Sequence, residues 1–320
     1  MIIFSPGPAN ISERVRGALT NPDIGHRESE FIDLLEDARS KVLEVCGVPQ
    51  GYSCALLSGS GTTGIEASIT SLADVNNGVL ILANGVYGYR AAQIAEVYRI
   101  PHTVEQFDWT APIALERAEQ LIAATSHGAV YLIHHETTTG VLKSLQGVAE
   151  LAKGHGKWVV ADTVSSIGGE ELDLPTWGVD LVIGSANKCI RGVPGIGFVV
   201  VSDGFGDAIS QRRPVAFSTD LVSTLNREET GETPFTPPIQ TIYALREALA
   251  ELLEEGVSAR ISHYQDIATA LRDGLSSLEL SFLVPREHMS NTMTTVTLPP
   301  GLSYAGLHQP LREQGYLIYK

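Results

Sequence analysis

Three stretches of this chain carry side chains whose order and spacing suit them to chemistry. The first is Ser58-Gly-Ser-Gly-Thr-Thr-Gly-Ile-Glu-Ala67, which follows a predicted strand and opens a predicted helix. In that setting glycines let the backbone approach an anion closely. The free amides and dipole of a helix N-terminus then hold a phosphate, with Ser60 and Thr62 adding hydroxyl donors. No lysine follows the glycines, which separates the stretch from a Walker loop. The second is Val159-Val-Ala-Asp162, an aspartate at the end of a buried strand, the edge at which open parallel sheets bind ligands. A carboxylate there can keep a pyridine nitrogen protonated and so make the ring a better electron sink. The third is Ile183-Gly-Ser-Ala-Asn-Lys188-Cys-Ile-Arg-Gly-Val-Pro-Gly, with Lys188 on a stretch of small residues that leave room for a flat ring. Its amine can form a Schiff base with an aldehyde and then move a proton as base and acid.

Taken singly, each has a plainer reading: a glycine-rich turn with a hydroxyl cap, an aspartate helix cap, and a solvated lysine. Their joint order gives them weight, with Asp162 lying 26 residues before Lys188 and the glycine loop further upstream.

The elements that must position these groups can be read from apolar patterning. Short apolar runs at Cys54–Leu57, Val79–Ala83, Ala129–Ile133, Trp158–Ala161, Val179–Ile183 and Phe198–Val201 predict buried strands. A helical pattern from Leu145 through Ala152 stops at Gly154 and Gly156, and strand–helix–strand alternation at this spacing predicts a largely parallel sheet covered on both faces. Phe31, Leu34, Leu35, Ala38, Val42 and Val45 share one helical face before the sheet. After it, two long amphipathic helices are predicted, one from Ile242 to Leu253 ended by Gly256 and one from Ile261 to Leu275. The final segment reads as strand (293–298), helix (305–314) and strand (316–319), the start of a smaller α/β layer.

Composition bounds the function classes. At 320 residues, 43% hydrophobic and 18% charged, the chain can bury a substantial core. A net charge of −15 disfavours general nucleic-acid or anionic-membrane binding. Cys46, Cys54 and Cys189 are odd in number and lack metal-ligand spacing, so neither a disulfide framework nor a metal site is expected. No run is long enough for a signal peptide or membrane span, and a cytoplasmic location is expected.

Together these residues resemble the class V aminotransferases, over nearly the whole chain. The resemblance implies the fold type I α/β architecture of pyridoxal-phosphate transferases, a large domain with a mostly parallel seven-stranded sheet sandwiched by helices and a smaller C-terminal α/β domain. The boundaries expected are an N-terminal segment 1–12 contributing to the active site, a large domain 13–250 and a partial small domain 251–320. The cofactor implied is pyridoxal 5′-phosphate, with Ser60, Gly61 and Thr62 on its phosphate, Asp162 on the ring nitrogen and Lys188 on the aldehyde carbon. In Asn84-Gly-Val-Tyr87-Gly-Tyr-Arg90, Tyr87 takes the position that stacks on the ring, and in His134-His-Glu-Thr137-Thr-Thr-Gly140, Thr137 matches a hydroxyl near the ring oxygen. Thr236, in Phe235-Thr-Pro-Pro238, matches a residue that reaches the phosphate of the neighbouring subunit, which implies a homodimer with shared active sites.

Within the family, Ser5-Pro-Gly-Pro8, the segment 134–140 and above all Ser185–Gly195 are most similar to 2-aminoethylphosphonate:pyruvate transaminases. Pro6, Gly7 and Arg27 are the expected substrate contacts, and serine– or alanine–pyruvate/glyoxylate aminotransferases share the scaffold as the alternative. A lyase or desulfurase on the same scaffold would need a cysteine on a mobile loop, for which none of the three is placed. Family members continue past the strand matched by 315–319 to an arginine that binds the substrate's carboxylate or phosphonate. No counterpart lies within these 320 residues, so the expectation is either a shortened form or another arginine, such as Arg16, Arg27 or Arg90, in its place. Without such a replacement the expectation is a cofactor-binding protein impaired in transamination.

Overall fold

The computed structural model describes residues 1–75 and 77–320. Its centre is a seven-stranded sheet: β1 (Tyr52–Gly59), β2 (Val79–Ala83), β3 (His102–Gln106), β4 (Ala129–Ile133), β5 (Trp158–Asp162), β6 (Leu181–Ser185) and β7 (Gly195–Ser202). They lie in the order β1-β7-β6-β5-β4-β2-β3. Four pairings are parallel, and β7 runs antiparallel to both β1 and β6.

Alternation along the strands explains the two-sided burial. Leu80 and Leu82 of β2, Val130 and Leu132 of β4, and Val159 and Ala161 of β5 enter one core with Phe31, Leu35 and Val42 of helix α1 (Ser29–Val45). Val79 and Ile81, with Tyr131, Ile133 and Val160, enter the other core. That second core is closed by Ile65 and Ile69 of α2 (Gly61–Ser71) and Ala91 and Ala95 of α3 (Val86–Val97). With both faces covered, the strands read as continuous apolar runs, as in other parallel sheets. Six of the seven strands match those runs. The seventh, β3, has the sequence His-Thr-Val-Glu-Gln and sits at the sheet edge, where half its side chains meet water and no apolar run is needed.

Helix α4 (Leu145–Gly154) ends where the glycines predict. A short helix α5 (Leu221–Glu228) leads to α6 (Ile239–Glu255) and α7 (Val257–Ser277), which turn at Gly256. On α7 the apolar stripe is only partly used: Ala268 is buried, whereas Ile267 and Leu271 are about half exposed. The strand expected at 293–298 is shorter, only Val296–Thr297, paired antiparallel with Ser281–Phe282. The helix and last strand fall at Tyr304–Glu313 and Tyr316–Ile318. Tyr316–Ile318 pairs in parallel with Ile2–Phe4, so the first residues of the chain belong to the C-terminal layer before crossing to the sheet. No helix among the described residues is long and apolar enough to cross a membrane.

Candidate active site

Asp162 is the last residue of β5, held beside β4 by the pairing of Ile133 with Asp162. Its carboxylate is buried at the C-terminal edge of the sheet, accepting from the Val164 amide at 3.0 Å and the Tyr131 hydroxyl at 3.3 Å. Burial pushes its pKa up to about 6, and nearby Glu136 adds to this; the Val164 amide, Lys143 and Tyr131 oppose it.

The glycine loop leaves β1 and turns into α2. Ser60 is the N-cap, its backbone extended and its Oγ accepting from the Thr62 amide at 3.3 Å. Gly61 packs so closely against Val164 that an added Cβ would lie 2.8 Å from Val164 Cγ2. The first turn of α2 is thereby drawn onto the loop that follows Asp162.

Lys188 follows β6. Its Nζ donates to the carbonyl of Pro6 at 2.7 Å, and burial lowers its pKa below the ordinary lysine value. Gly7 (φ +134°) lies over the lysine stem; a Cβ there would meet Cδ at 2.5 Å and Nζ at 2.8 Å. The Ala9 amide donates to the Asn187 carbonyl at 3.0 Å, so the N-terminal segment is pinned along the lysine loop.

These elements enclose one pocket, lined by Ser60, Gly61 and Thr62, by Tyr87 and Arg90, and by His135, Asp162, Asn187 and Lys188. Arg90 lies over the Tyr87 ring at 4.6 Å and its Nη1 donates to Thr62 Oγ1 at 3.3 Å. His135 joins the segment after β5 to the C-terminal layer: its ring is 3.2 Å from the Ser165 carbonyl and 2.8 Å from Ser290 Oγ. Burial lowers the His135 pKa to about 4, so near neutrality it is a neutral hydrogen-bonding imidazole.

A sequence profile of the class-V aminotransferases matches residues 9–318. The chain belongs to that family. It is 35% identical to the 2-aminoethylphosphonate–pyruvate transaminase of Vibrio cholerae, over 99% of this chain and 88% of that protein. The crystal structure of alanine–glyoxylate aminotransferase from Nostoc sp. superposes with a TM-score of 0.92 at 28% identity, covering 99% of this chain and 85% of that one. That of ureidoglycine–glyoxylate aminotransferase from Bacillus subtilis gives 0.92 at 25% identity, covering 99% and 83%. This class-V aminotransferase therefore uses pyridoxal phosphate. The pocket has the groups for it: hydroxyls and helix amides of the Ser60 loop, the buried Asp162 carboxylate and the desolvated Lys188 amine all line it.

Not every residue singled out in the sequence meets in this pocket. Ser60, Gly61, Thr62, Tyr87, Asp162 and Lys188 line it, and Pro6 and Gly7 lie against Lys188. Thr137 is buried in the neighbouring hairpin outside the lining, where His135, two residues earlier, forms the wall. Arg16, Arg27 and Thr236 are exposed outside it. Of the three arginines expected as replacements Arg90 alone lines it, and Asn187, which also does, was legible only as a motif neighbour of Lys188. All three cysteines are buried; Cys189 contacts the Ser165 carbonyl at 3.4 Å and its thiol is pushed up to about 12, unlike a reactive carrier.

Proposed function

We propose that this chain transfers the amino group of 2-aminoethylphosphonate to pyruvate, giving phosphonoacetaldehyde and alanine. The observation that carries the donor assignment is the 35% identity, over 99% of the chain, to a protein of that name. The pocket supports the chemistry. The bound cofactor supplies an aldehyde that takes up the amine and a ring that accepts the electron pair freed at the substrate carbon.

In this reading Ser60, Gly61 and Thr62 hold the phosphate through amides and hydroxyls, and Tyr87 lies on the ring face. Asp162 accepts a hydrogen bond from the protonated ring nitrogen. It must be ionised to do so, and its pKa of about 6 leaves it ionised at neutral pH. Lys188 holds the cofactor and then carries the proton at the substrate carbon in both half-reactions. Its burial keeps the amine easier to deprotonate than a surface lysine, and the Pro6 carbonyl orients Nζ. Pro6 and Gly7 close the lysine side of the pocket, and Thr137 backs the hairpin near the ring oxygen.

Arg90 takes the anion-binding part that Arg16 and Arg27, exposed outside the pocket, are not placed to take. Its guanidinium is oriented by Tyr87 and Thr62, and a planar fork matches a phosphate or phosphonate oxygen pair. The same reading makes the protein a homodimer in which Thr236 reaches the phosphate of the other subunit. The exposed pair Phe217 and Phe235, with ring centroids 5.6 Å apart beside Thr236, supports that interface.

The test is to add 2-aminoethylphosphonate to the purified holoenzyme, follow the visible cofactor band, then add pyruvate and measure alanine. The reading expects loss of the band with the amine and its return with alanine on adding pyruvate. The likeness to alanine–glyoxylate aminotransferase favours a second reading with alanine or serine as donor. A higher kcat/KM for those amines than for the aminophosphonate would replace the first reading with the second, and a band that no amine changes would sink both.

A further inference from the structure

Beneath the pocket floor lies a group of polar side chains that the proposed chemistry does not use. Lys143 is 2% exposed, and its Nζ has no hydrogen-bond partner among the described residues. Glu136 Oε2, Asn84 Oδ1 and His134 Nδ1 are likewise buried without partners. A buried, unpartnered ammonium is costly and needs a compensating charge.

The backbone shows where that compensation lies. The Lys143 amide donates to the His134 carbonyl at 2.9 Å, and the His134 amide donates to the Asp162 carbonyl at 2.9 Å. Lys143, His134 and Asp162 are therefore neighbours on three adjacent strand-like segments, and Glu136 sits in the same hairpin as Lys143. Glu136 is anchored by the Thr138 amide at 3.0 Å through Oε1, with Oε2 left free; an added Cβ on Gly85 would lie 2.6 Å from Oε2. Two buried carboxylates thus share one interior with one ammonium.

We infer that Lys143 is a positioning residue for Asp162, an internal counter-charge that keeps this carboxylate ionised and fit to hold a protonated ring nitrogen. This rests on the reading of Asp162 given above. The other groups around Asp162 cannot replace Lys143. Tyr131 is a neutral donor, and Glu136 repels a second negative charge. His134 and His135 are driven neutral by burial, to about 3 and about 4. Lys188 is committed to the cofactor, and Arg90 to Thr62 and Tyr87. The charges are available at the right pH. Burial lowers Lys143 to about 8, above the value of about 6 for Asp162, so Lys143 is still an ammonium throughout the interval in which Asp162 changes charge.

Cofactor affinity fades as pH falls through the Asp162 pKa, and removing the neighbouring cation raises that pKa. Apo-protein prepared from the holoenzyme is titrated with pyridoxal phosphate over this pH range in wild type, K143M, K143Q, K143R and D162N. In K143M and K143Q the acid limb should move up by about one pH unit, a roughly fivefold loss of affinity at the wild-type midpoint, approaching about tenfold below it, and little loss at higher pH. K143R should keep the wild-type limb. K143Q supplies a neutral donor to the orphaned acceptors and remains readable where K143M does not fold. In D162N the limb should vanish, and adding K143Q should then move nothing. An equal loss of affinity at every pH in K143M and K143Q, or the same change from K143Q in the D162N background, would overturn the assignment as mere packing. A D162N protein that kept the wild-type limb would instead overturn the role of Asp162, and this inference with it.

Discussion

Lys188 shows how few contacts are needed to desolvate a lysine. Its amine meets a backbone carbonyl rather than a carboxylate, and the backbone of Gly7 covers its stem, so it is desolvated without being neutralised by an ion pair. Gly7 stands at φ +134°, where side chains are strained, and a Cβ would overlap the lysine. Gly7→Ala should therefore lower kcat by about a hundredfold or more, through displacement of a group whose position within about 1 Å matters. The melting temperature should change little, because the segment 5–9 packs on the site and not in either core; activity assays and thermal melts on one preparation check both halves.

Asp162 makes the complementary point, that a group set for binding is a strain on the apo-protein. Its folded pKa of about 6 lies above the ordinary 3.8, so as pH rises from about 4 through 6 the unfolded chain releases the proton first and stability falls. Near pH 7 the penalty is on the order of 2–3 kcal/mol. Asp162→Asn should raise the melting temperature of the apo-protein at neutral pH while weakening pyridoxal phosphate binding and abolishing most activity. A lower apo melting temperature in the variant would contradict the burial argument.

At the scale of elements, the sheet ends at β1, where the unpaired edge is covered by side chains. The buried Glu228 of α5 accepts from the Leu56 amide at 3.1 and 3.2 Å. Arg39 of α1 donates to the Cys54 carbonyl at 2.8 Å and to the Glu228 carbonyl at 2.7 Å. Edge amides are thus closed without another strand. Glu228→Ala would leave the Leu56 amide unpartnered and remove the carboxylate 3.4 Å from Arg39 Nε, at a cost of about 2–4 kcal/mol, measurable by denaturant titration; Glu228→Gln should cost less than half of that.

Elements that bury whole faces were the ones legible in the sequence. Val79–Ala83 and Ala129–Ile133 read directly as strands because both their faces are covered. The β3 edge strand does not, having one wet face, and Val296–Thr297 is short because only two residues find a partner. Ser60, Asp162 and Lys188 were legible because a loop glycine, a strand-end carboxylate and a small-residue lysine loop are local patterns. The burial of Lys143 is not local: it depends on a hairpin folding under Asp162, and by itself a lysine after Val141-Leu142 reads as solvated.

At the scale of the whole molecule, the C-terminal layer is tied to the sheet by a few polar contacts around the site. Glu170 accepts from the Asn291 amide at 2.6 Å and its side-chain amide at 2.9 Å, His135 meets Ser290 Oγ, and Arg191 donates to the Tyr264 hydroxyl at 3.0 Å. Burial raises Glu170 to about 8. Its raised value, like that of Asp162, means that this contribution to stability is fullest at low pH and is lost as pH rises through about 8. The exposed Phe217 and Phe235 belong to the same scale, since only a second copy of the chain would cover them in the proposed homodimer. Phe217→Asp should shift the sedimentation of the protein from dimer toward monomer and weaken cofactor retention together, since Thr236 would then reach no phosphate. A monomeric wild type with full cofactor occupancy would contradict the shared-site arrangement.

The central claim is that Lys188, framed by Asp162 and the Ser60 loop, is where the cofactor is attached. Reduction of the holoenzyme with borohydride followed by proteolysis and mass spectrometry reads this attachment directly. The pyridoxyl group should be found on the peptide carrying Lys188 and be absent from that peptide in Lys188→Ala. A label on Lys143 or Lys153, or a visible cofactor band that survives Lys188→Ala, would contradict it.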